Sequence, residues 1–387
     1  MKKVEIVIIG GGVVGASVAY HLTERGAKDV LIAERENLLG EGSTGKATGG
    51  VRAQFETEIN IKMSLYSLDF FERFEQLTGI DCAYEKRGYL FVATDEKQFD
   101  FLKKSVEKQK TLGCKSVEIV DTKTISQMIK GINCADIVGG SFGARDGFIN
   151  PLGVLEGFAK KAIESGTEIL TETEVYSIET ANGKVKSVET NHGKIECEKV
   201  VLCAGAWARK LAETAGIDLP VEPLKRQIVW AKSLNPLPEN LPMVIDLSNG
   251  FHFRPVKDSL TEVLFAYPDK DETASFNTEF EDSFIAKVYE KAKHRAPFLC
   301  KTEVVREKCR AGLYENTPDH HAILGDCEIE GLYFANGFSG HGVMHSPATG
   351  RALSEIILDG KASFLDVSCL SLERFAEGKL LHERAFI

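Results

Sequence analysis

Three glycines and an acid carry the first recognisable chemistry in this chain. Gly10, Gly12 and Gly15 follow an apolar run at 4–9, and Glu34 ends a second apolar run at 29–33. In that pattern Gly10 permits a tight turn, Gly12 lets a pyrophosphate approach the backbone, and Gly15 lets a helix pack close on the strand. The helix would start at Val13 and Val14, whose N–H groups and positive dipole end face the phosphates. Glu34, with Arg35 beside it, falls where a carboxylate accepts both ribose hydroxyls of an adenosine. An ordinary tight turn between strand and helix would leave the spacing of Glu34 unexplained.

Three further segments bring main chain or polar groups to the same region. A glycine-rich loop at 37–52, with Ser43, Thr44, Lys46, Ala47, Gly49 and Gly50, can lie along a bound cofactor. A strand from 200 runs into the small-residue turn Ala204, Gly205, Ala206 and Trp207. A third turn holds Gly337, Ser339, Gly340, His341 and Gly342, and opens a helix with Val343 and Met344 in its first turn. His252 and Arg254 share one face of a strand, while Phe251 and Phe253 share the other. Asp319, His320 and His321 suggest a metal site, but adjacent histidines on a strand point to opposite faces, so no metal is expected.

These groups need elements to hold them. The pattern predicts a βαβ unit at 4–34 and helices at 57–77, 95–112, 122–130 and 151–165, with strands at 88–93, 168–171, 173–180, 184–190, 193–196 and from 200. Strands are then expected at 221–232, 243–247, 251–256, 261–267 and 302–314, with a helix at 279–296 between them. A final strand at 331–336 leads through the glycine turn into a helix ending near 358. The fold class is therefore α/β, a Rossmann-like domain interleaved with a second domain on a mixed, largely antiparallel sheet with helices. The first comprises 1–85, 146–220 and 321–387, the second 86–145 and 221–320.

The chain has 387 residues and a net charge of −10, without the basic footprint that nucleic-acid binding needs. No signal peptide and no membrane span is expected. The nine cysteines form no C-x-x-C pair and read as reduced thiols of a cytoplasmic protein.

Taken together, the N-terminal unit with Glu34 and Arg35, the 204–207 turn and the 337–342 turn resemble the flavoprotein family of D-amino-acid oxidase, glycine oxidase and sarcosine oxidase. Residues 311–319 and 337–342 are similar to the branch of the sarcosine oxidase and L-proline dehydrogenase β-subunits. The resemblance implies FAD held across the first domain, with Val175 and Gly312 among its contacts, and substrate between the flavin and the second sheet. A helix N-terminus at 342 would stabilise the negative charge a flavin gains on reduction, which a nicotinamide does not require.

The chain departs from these relatives in places. In the dimethylglycine dehydrogenase type a histidine that anchors flavin follows the Gly-Ser-Thr run, where this chain has Lys46. Monomeric sarcosine oxidase carries a cysteine where this chain has Gly312, and Cys309 lies three residues off. Noncovalent FAD is expected. Usual carboxylate anchors are replaced by Tyr314, which should line the pocket, and by Met344. The resemblance leaves Arg52 as the leading anchor, with a surface ion pair as the alternative. His252 and Arg254 form a second candidate pair, and His341 is expected to support the flavin.

The resulting reading is an oxidoreductase that moves hydride from the carbon beside nitrogen of a secondary amino acid, such as sarcosine or L-proline, to flavin N5, giving an imine. Glycine or D-amino-acid oxidation, 2-hydroxy-acid or glycerol-3-phosphate dehydrogenation, and a flavin-bearing subunit of a hetero-oligomer are the alternatives. The electron acceptor (oxygen, a quinone or a partner flavoprotein) and the choice between homo- and hetero-oligomer stay open.

Overall fold

The computed structural model describes residues 2–384. At its centre lies Lys2–Ile9, paired in parallel with Val30–Ala33 on one side and Gly193–Leu202 on the other. Leu332–Asn336 joins beyond Gly193–Leu202, again in parallel, and Ile323–Asp326 closes that edge antiparallel. Residues 6–9, 30–33 and 200–202 are buried, as central strands covered on both faces must be. Helix Val13–Glu24 packs against Gly342–Asp359 and Pro151–Glu164 on one side of this sheet. The first two helices touch through Gly350, where a β-carbon would stand 2.4 Å from the Ser17 hydroxyl.

The second sheet is ordered Thr302–Val304, Glu222–Ser233, Glu262–Ala266, His252–Pro255, Met243–Asp246, Tyr89–Ala93, Gly139–Gly143 and Val117–Val120, with Arg310–Asn316 also paired to Glu222–Ser233. All its pairs are antiparallel except Met243–Asp246 with Tyr89–Ala93. Its other face is closed by an apolar cluster that includes Phe284, Val288 and Ala292 of helix Asp282–Arg295. The chain crosses between the two sheets four times, since 2–33, 168–202 and 323–336 supply the first and 89–143 and 222–316 supply the second.

Several elements differ from the sequence-based expectation. The strands read at 193–196 and from 200 are one continuous strand, Gly193–Leu202. Its first half pairs antiparallel with Lys184–Thr190 and its second half lies in the core, so the polar stretch 196–199 is a strand edge rather than a break. The helix at 57–77 divides at Arg73 into Glu58–Glu72 and Phe74–Thr78. The strand at 302–314 is interrupted by a 3-10 turn at Arg306–Lys308. The Asp319–His321 segment is not strand at all. His320 takes a positive φ of 58°, and Asp319 forms a buried ion pair with Arg374 at 2.8 Å.

Candidate functional site

A cavity of about 430 Å³ runs between the two sheets. One end lies over the glycine fingerprint. Gly10, at φ 110°, turns so tightly that a β-carbon there would stand 2.4 Å from the Cys203 carbonyl oxygen. Gly10, Gly12, Val13 and Val14 line the cavity, and the Val13 N–H reaches Thr44 Oγ1 at 3.1 Å. Gly15 does not line it. A β-carbon on Gly15 would meet the Gly10 carbonyl oxygen at 2.1 Å, so its role is to let the helix sit on the strand. Glu34 is held by the N–H of Gly11 at 2.7 Å and of Glu36 at 2.9 Å, and it faces the cavity with Arg35. Val175, Ala204, Gly205 and Trp207 complete this end, with the Arg35 guanidinium 3.8 Å above the Trp207 ring.

The glycine-rich loop forms a side wall through Ser43, Thr44, Lys46, Ala47, Gly49 and Gly50. It is fastened to the second sheet. Ser43 donates to the Leu313 carbonyl at 2.7 Å, and Arg310 donates to the carbonyls of Lys46 and Ala47 at 3.1 and 3.0 Å. Arg254 donates to the Thr48 carbonyl, with its other amino group on Pro255. Arg254 therefore clamps the loop from behind and is not part of the cavity wall, contrary to its expected pairing with His252.

Strand register sets the opposite wall. Arg226 lies across from Gly312, Leu224 from Tyr314, and His252 from Ala266, so one face of the sheet carries Tyr314, Gly312, Arg226, Ile228, Ala266 and His252. All six border the cavity. His252 Nδ1 is 2.9 Å from the Gly250 carbonyl, which can only accept, so Nδ1 carries the hydrogen and Nε2 is left as acceptor. Burial lowers the His252 pKa to about 4, which keeps the ring neutral.

The far end is closed by the C-terminal turn. Gly340, His341, Gly342, Val343 and Met344 face the cavity, at the start of helix Gly342–Asp359 with His341 as its N-cap residue. Gly340 abuts the Tyr314 ring, which a β-carbon would meet at 2.4 Å. Gly337 and Ser339 lie behind this surface and shape the turn: Gly337 donates to Glu315 Oε2 at 3.1 Å, and Ser339 donates to the Glu315 carbonyl at 3.1 Å. Burial raises the Glu315 carboxyl to about 7, partly offset by the backbone N–H groups of Gly337 and Phe338.

Arg52 is 2% exposed, which removes the surface ion pair as its explanation. Its guanidinium stacks 3.8 Å over Phe55, donates to the Gln54 carbonyl and borders the cavity. Desolvation lowers its pKa, and the nearby Glu383, Tyr89 and Asp146 oppose that. Asp146 lies just behind, raised by burial to about 6 and bonded to Ala53 N–H and Gln54 Nε2, each at 2.9 Å.

Sequence reasoning missed Arg226, Tyr89 and Glu315. The signal for Arg226 was present: on its face of the strand it lies between the apolar Leu224 and Ile228. Among the described residues no cluster of histidine, cysteine or carboxylate side chains could hold a metal. Cys309 turns toward the Trp230 backbone, 3.4 Å from its N–H, and does not border the cavity.

The cavity suits a long dinucleotide that ends in a planar ring. One end offers a ribose-binding acid, the middle offers helix N–H groups across glycine, and the far end offers a second helix N-terminus beside the sheet. Comparison with known proteins agrees. The family model described as FAD dependent oxidoreductase matches residues 5–356. FAD-dependent oxidoreductase domain-containing protein 1 of Xenopus laevis is 31% identical, across 100% of this chain and 85% of its own length. The 4-methylaminobutanoate oxidase (formaldehyde-forming) of Paenarthrobacter nicotinovorans is 29% identical over 96% of this chain and 46% of its own. The crystal structure of L-proline dehydrogenase from P. horikoshii superposes with a TM-score of 0.90 at 29% identity, covering 98% of this chain and all of that one.

Proposed function

This chain belongs to the family of FAD-dependent oxidoreductases, and on that premise we propose that it oxidises a small secondary amino acid of the sarcosine or L-proline type to an imine. Both the L-proline dehydrogenase and the 4-methylaminobutanoate oxidase are named for secondary amines that carry a carboxylate, which supports this class. Residues 1–85, 146–220 and 321–387 would bind FAD, and 86–145 and 221–320 would face the substrate; the division of the strands between two sheets supports that reading.

FAD, when bound, supplies a two-electron acceptor. The fingerprint and the Gly42–Gly50 loop would hold its adenosine and phosphates, and the first turn of helix Gly342–Asp359 would face its ring. The carrying observation is the buried Arg52 guanidinium, which borders the same cavity as Tyr314 and the 340–344 turn and has the planar fork that matches a carboxylate. Placed there, an amine sits among cationic groups in a low-dielectric cavity. Both effects disfavour its ammonium form, so the reactive neutral amine is favoured without a strong base. Neutral His252 suits that role as a hydrogen-bond acceptor. A 2-hydroxy acid would instead need a base at the carbinol, and a histidine held near 4 is a weak one. The imine then hydrolyses in water.

Lys46 and Gly312 stand where relatives attach flavin, and neither offers the same linkage, which supports noncovalent FAD. All nine cysteines are unpaired, which supports a reducing, cytoplasmic setting. No helix among the described residues is long and apolar enough to cross a membrane. The test is to purify the protein, record its spectrum, and add sarcosine and L-proline without oxygen. Bleaching of the flavin band supports the reading, and indifference to all amines while 2-hydroxy acids bleach it overturns it. Admitting air then tells an oxidase from a dehydrogenase with another acceptor.

A further inference from the structure

Arg226 is a second, half-buried cation in the same cavity, and the amine-oxidation reading does not use it. Its Nε is enclosed and has no hydrogen-bond partner, while one terminal amino group donates to the neighbouring Lys225 carbonyl at 3.2 Å. Among the described residues no carboxylate lies within ion-pair distance of it. The nearest acids are engaged elsewhere: Glu272 with Lys225 at 3.3 Å and Asp269 with Lys287 at 2.8 Å. Lys225 itself points to the other face of the strand, where Glu281 also holds it.

The cavity does not neutralise Arg226 either. Its bordering carboxylates are Glu34, Glu36, Glu174 and Glu315. The first two belong to the fingerprint end, and Glu174 adjoins Val175 there. Glu315 accepts from the C-terminal turn. Arg226 faces the Tyr314 ring at 5.4 Å, and Tyr314 feels the charges of both Arg226 and Arg52. Both guanidiniums and this tyrosine border the one cavity. Beside Arg226 the cavity is also bordered by Ala266, Tyr267 and Pro268 of the neighbouring strand and the turn after it. A partly desolvated cation without a counter-charge is disfavoured, and a carboxylate that engages its fork offsets that cost.

We propose that Arg226 forms a second anion subsite, so that the substrate class is a secondary amino acid bearing a further acidic group on its side arm. One carboxylate would meet Arg52 and the other Arg226, with the amine between them. This rests on the proposed amine oxidation, but the subsite can be tested without turnover.

The experiment uses the FAD-loaded protein. Non-reacting glutarate and butyrate are titrated while the flavin spectrum is followed, in wild type, Arg226→Gln and Arg226→Lys. Wild type should bind glutarate about tenfold or more tighter than butyrate, the worth of one charge-assisted pair. Arg226→Gln should erase that gap with butyrate affinity little changed, and Arg226→Lys should restore part of it. Equal affinities in wild type, or a gap that survives Arg226→Gln, overturn the proposal. If Arg226→Gln loses FAD, the wild-type gap and the Lys variant decide. In turnover, N-methyl-L-glutamate should bleach the flavin at lower concentration than N-methyl-L-glutamine. Failure of every amine to bleach while the glutarate gap persists would sink amine oxidation and leave the subsite standing.

Discussion

The Lys46 side chain lies against Gly312: a β-carbon on that glycine would stand 2.6 Å from the Lys46 β-carbon. The two positions that the family resemblance matches to sites of covalent coenzyme attachment thus meet, and here one is an amine and the other has no side chain. FAD should therefore leave with the supernatant on acid precipitation, and the pellet should be colourless. Yellow colour retained by the denatured chain would refute this.

Gly12→Val should yield protein with little or no flavin. Even a β-carbon at this position stands 3.2 Å from Thr44 Oγ1, and the larger side chain would fill the phosphate approach. Flavin absorbance relative to protein absorbance gives the measure. Gly15→Ala should act on the fold instead, since its β-carbon meets the Gly10 carbonyl oxygen at 2.1 Å. A stability loss of about 2 kcal/mol, read from denaturant unfolding, is expected.

Arg52→Ala should raise KM for carboxylated amines by about 100-fold, the worth of a charged bidentate contact, with a smaller change in kcat. An unchanged KM would remove Arg52 from the site.

Arg254→Gln should behave differently. It frees the Thr48 carbonyl from its clamp, so FAD affinity should fall by about tenfold, the worth of one charge-assisted bond. KM measured at saturating FAD should stay near wild type. A KM effect without a change in FAD affinity would return Arg254 to the substrate side.

Glu315 predicts a pH dependence. Its folded pKa, about 7, lies above the ordinary 4.5, so the folded state binds the proton more tightly than the unfolded state. That contribution to stability is complete below about 4.5 and is lost as pH rises through 7. Glu315→Gln should therefore gain on wild type between pH 5 and pH 7.5, by about 2 kcal/mol in cofactor-free protein. A constant difference across that window would show that the carboxyl does not titrate there.

Much of this site was legible in the residues because its chemistry is local. The fingerprint works through three glycines and an acid on one βαβ unit, and the C-terminal turn announces itself by glycine spacing before a helix. Arg254 was misjudged because face-sharing with His252 is also local, whereas the loop that crosses over it comes from residue 48. Arg226 was passed over because a single arginine in a strand resembles solvent-facing decoration until the opposing sheet shows that both faces are covered. Gly139–Gly143 carries too little apolar alternation to read as a strand, and exists because Tyr89–Ala93 and Val117–Val120 flank it.

The placement of Leu332–Asn336 inside the first sheet has a biosynthetic consequence. The segment that closes the far end of the cavity follows the fingerprint by most of the sequence, so a growing chain has a half-built cradle however early its fingerprint folds. Coenzyme capture must then wait until that segment has joined the sheet.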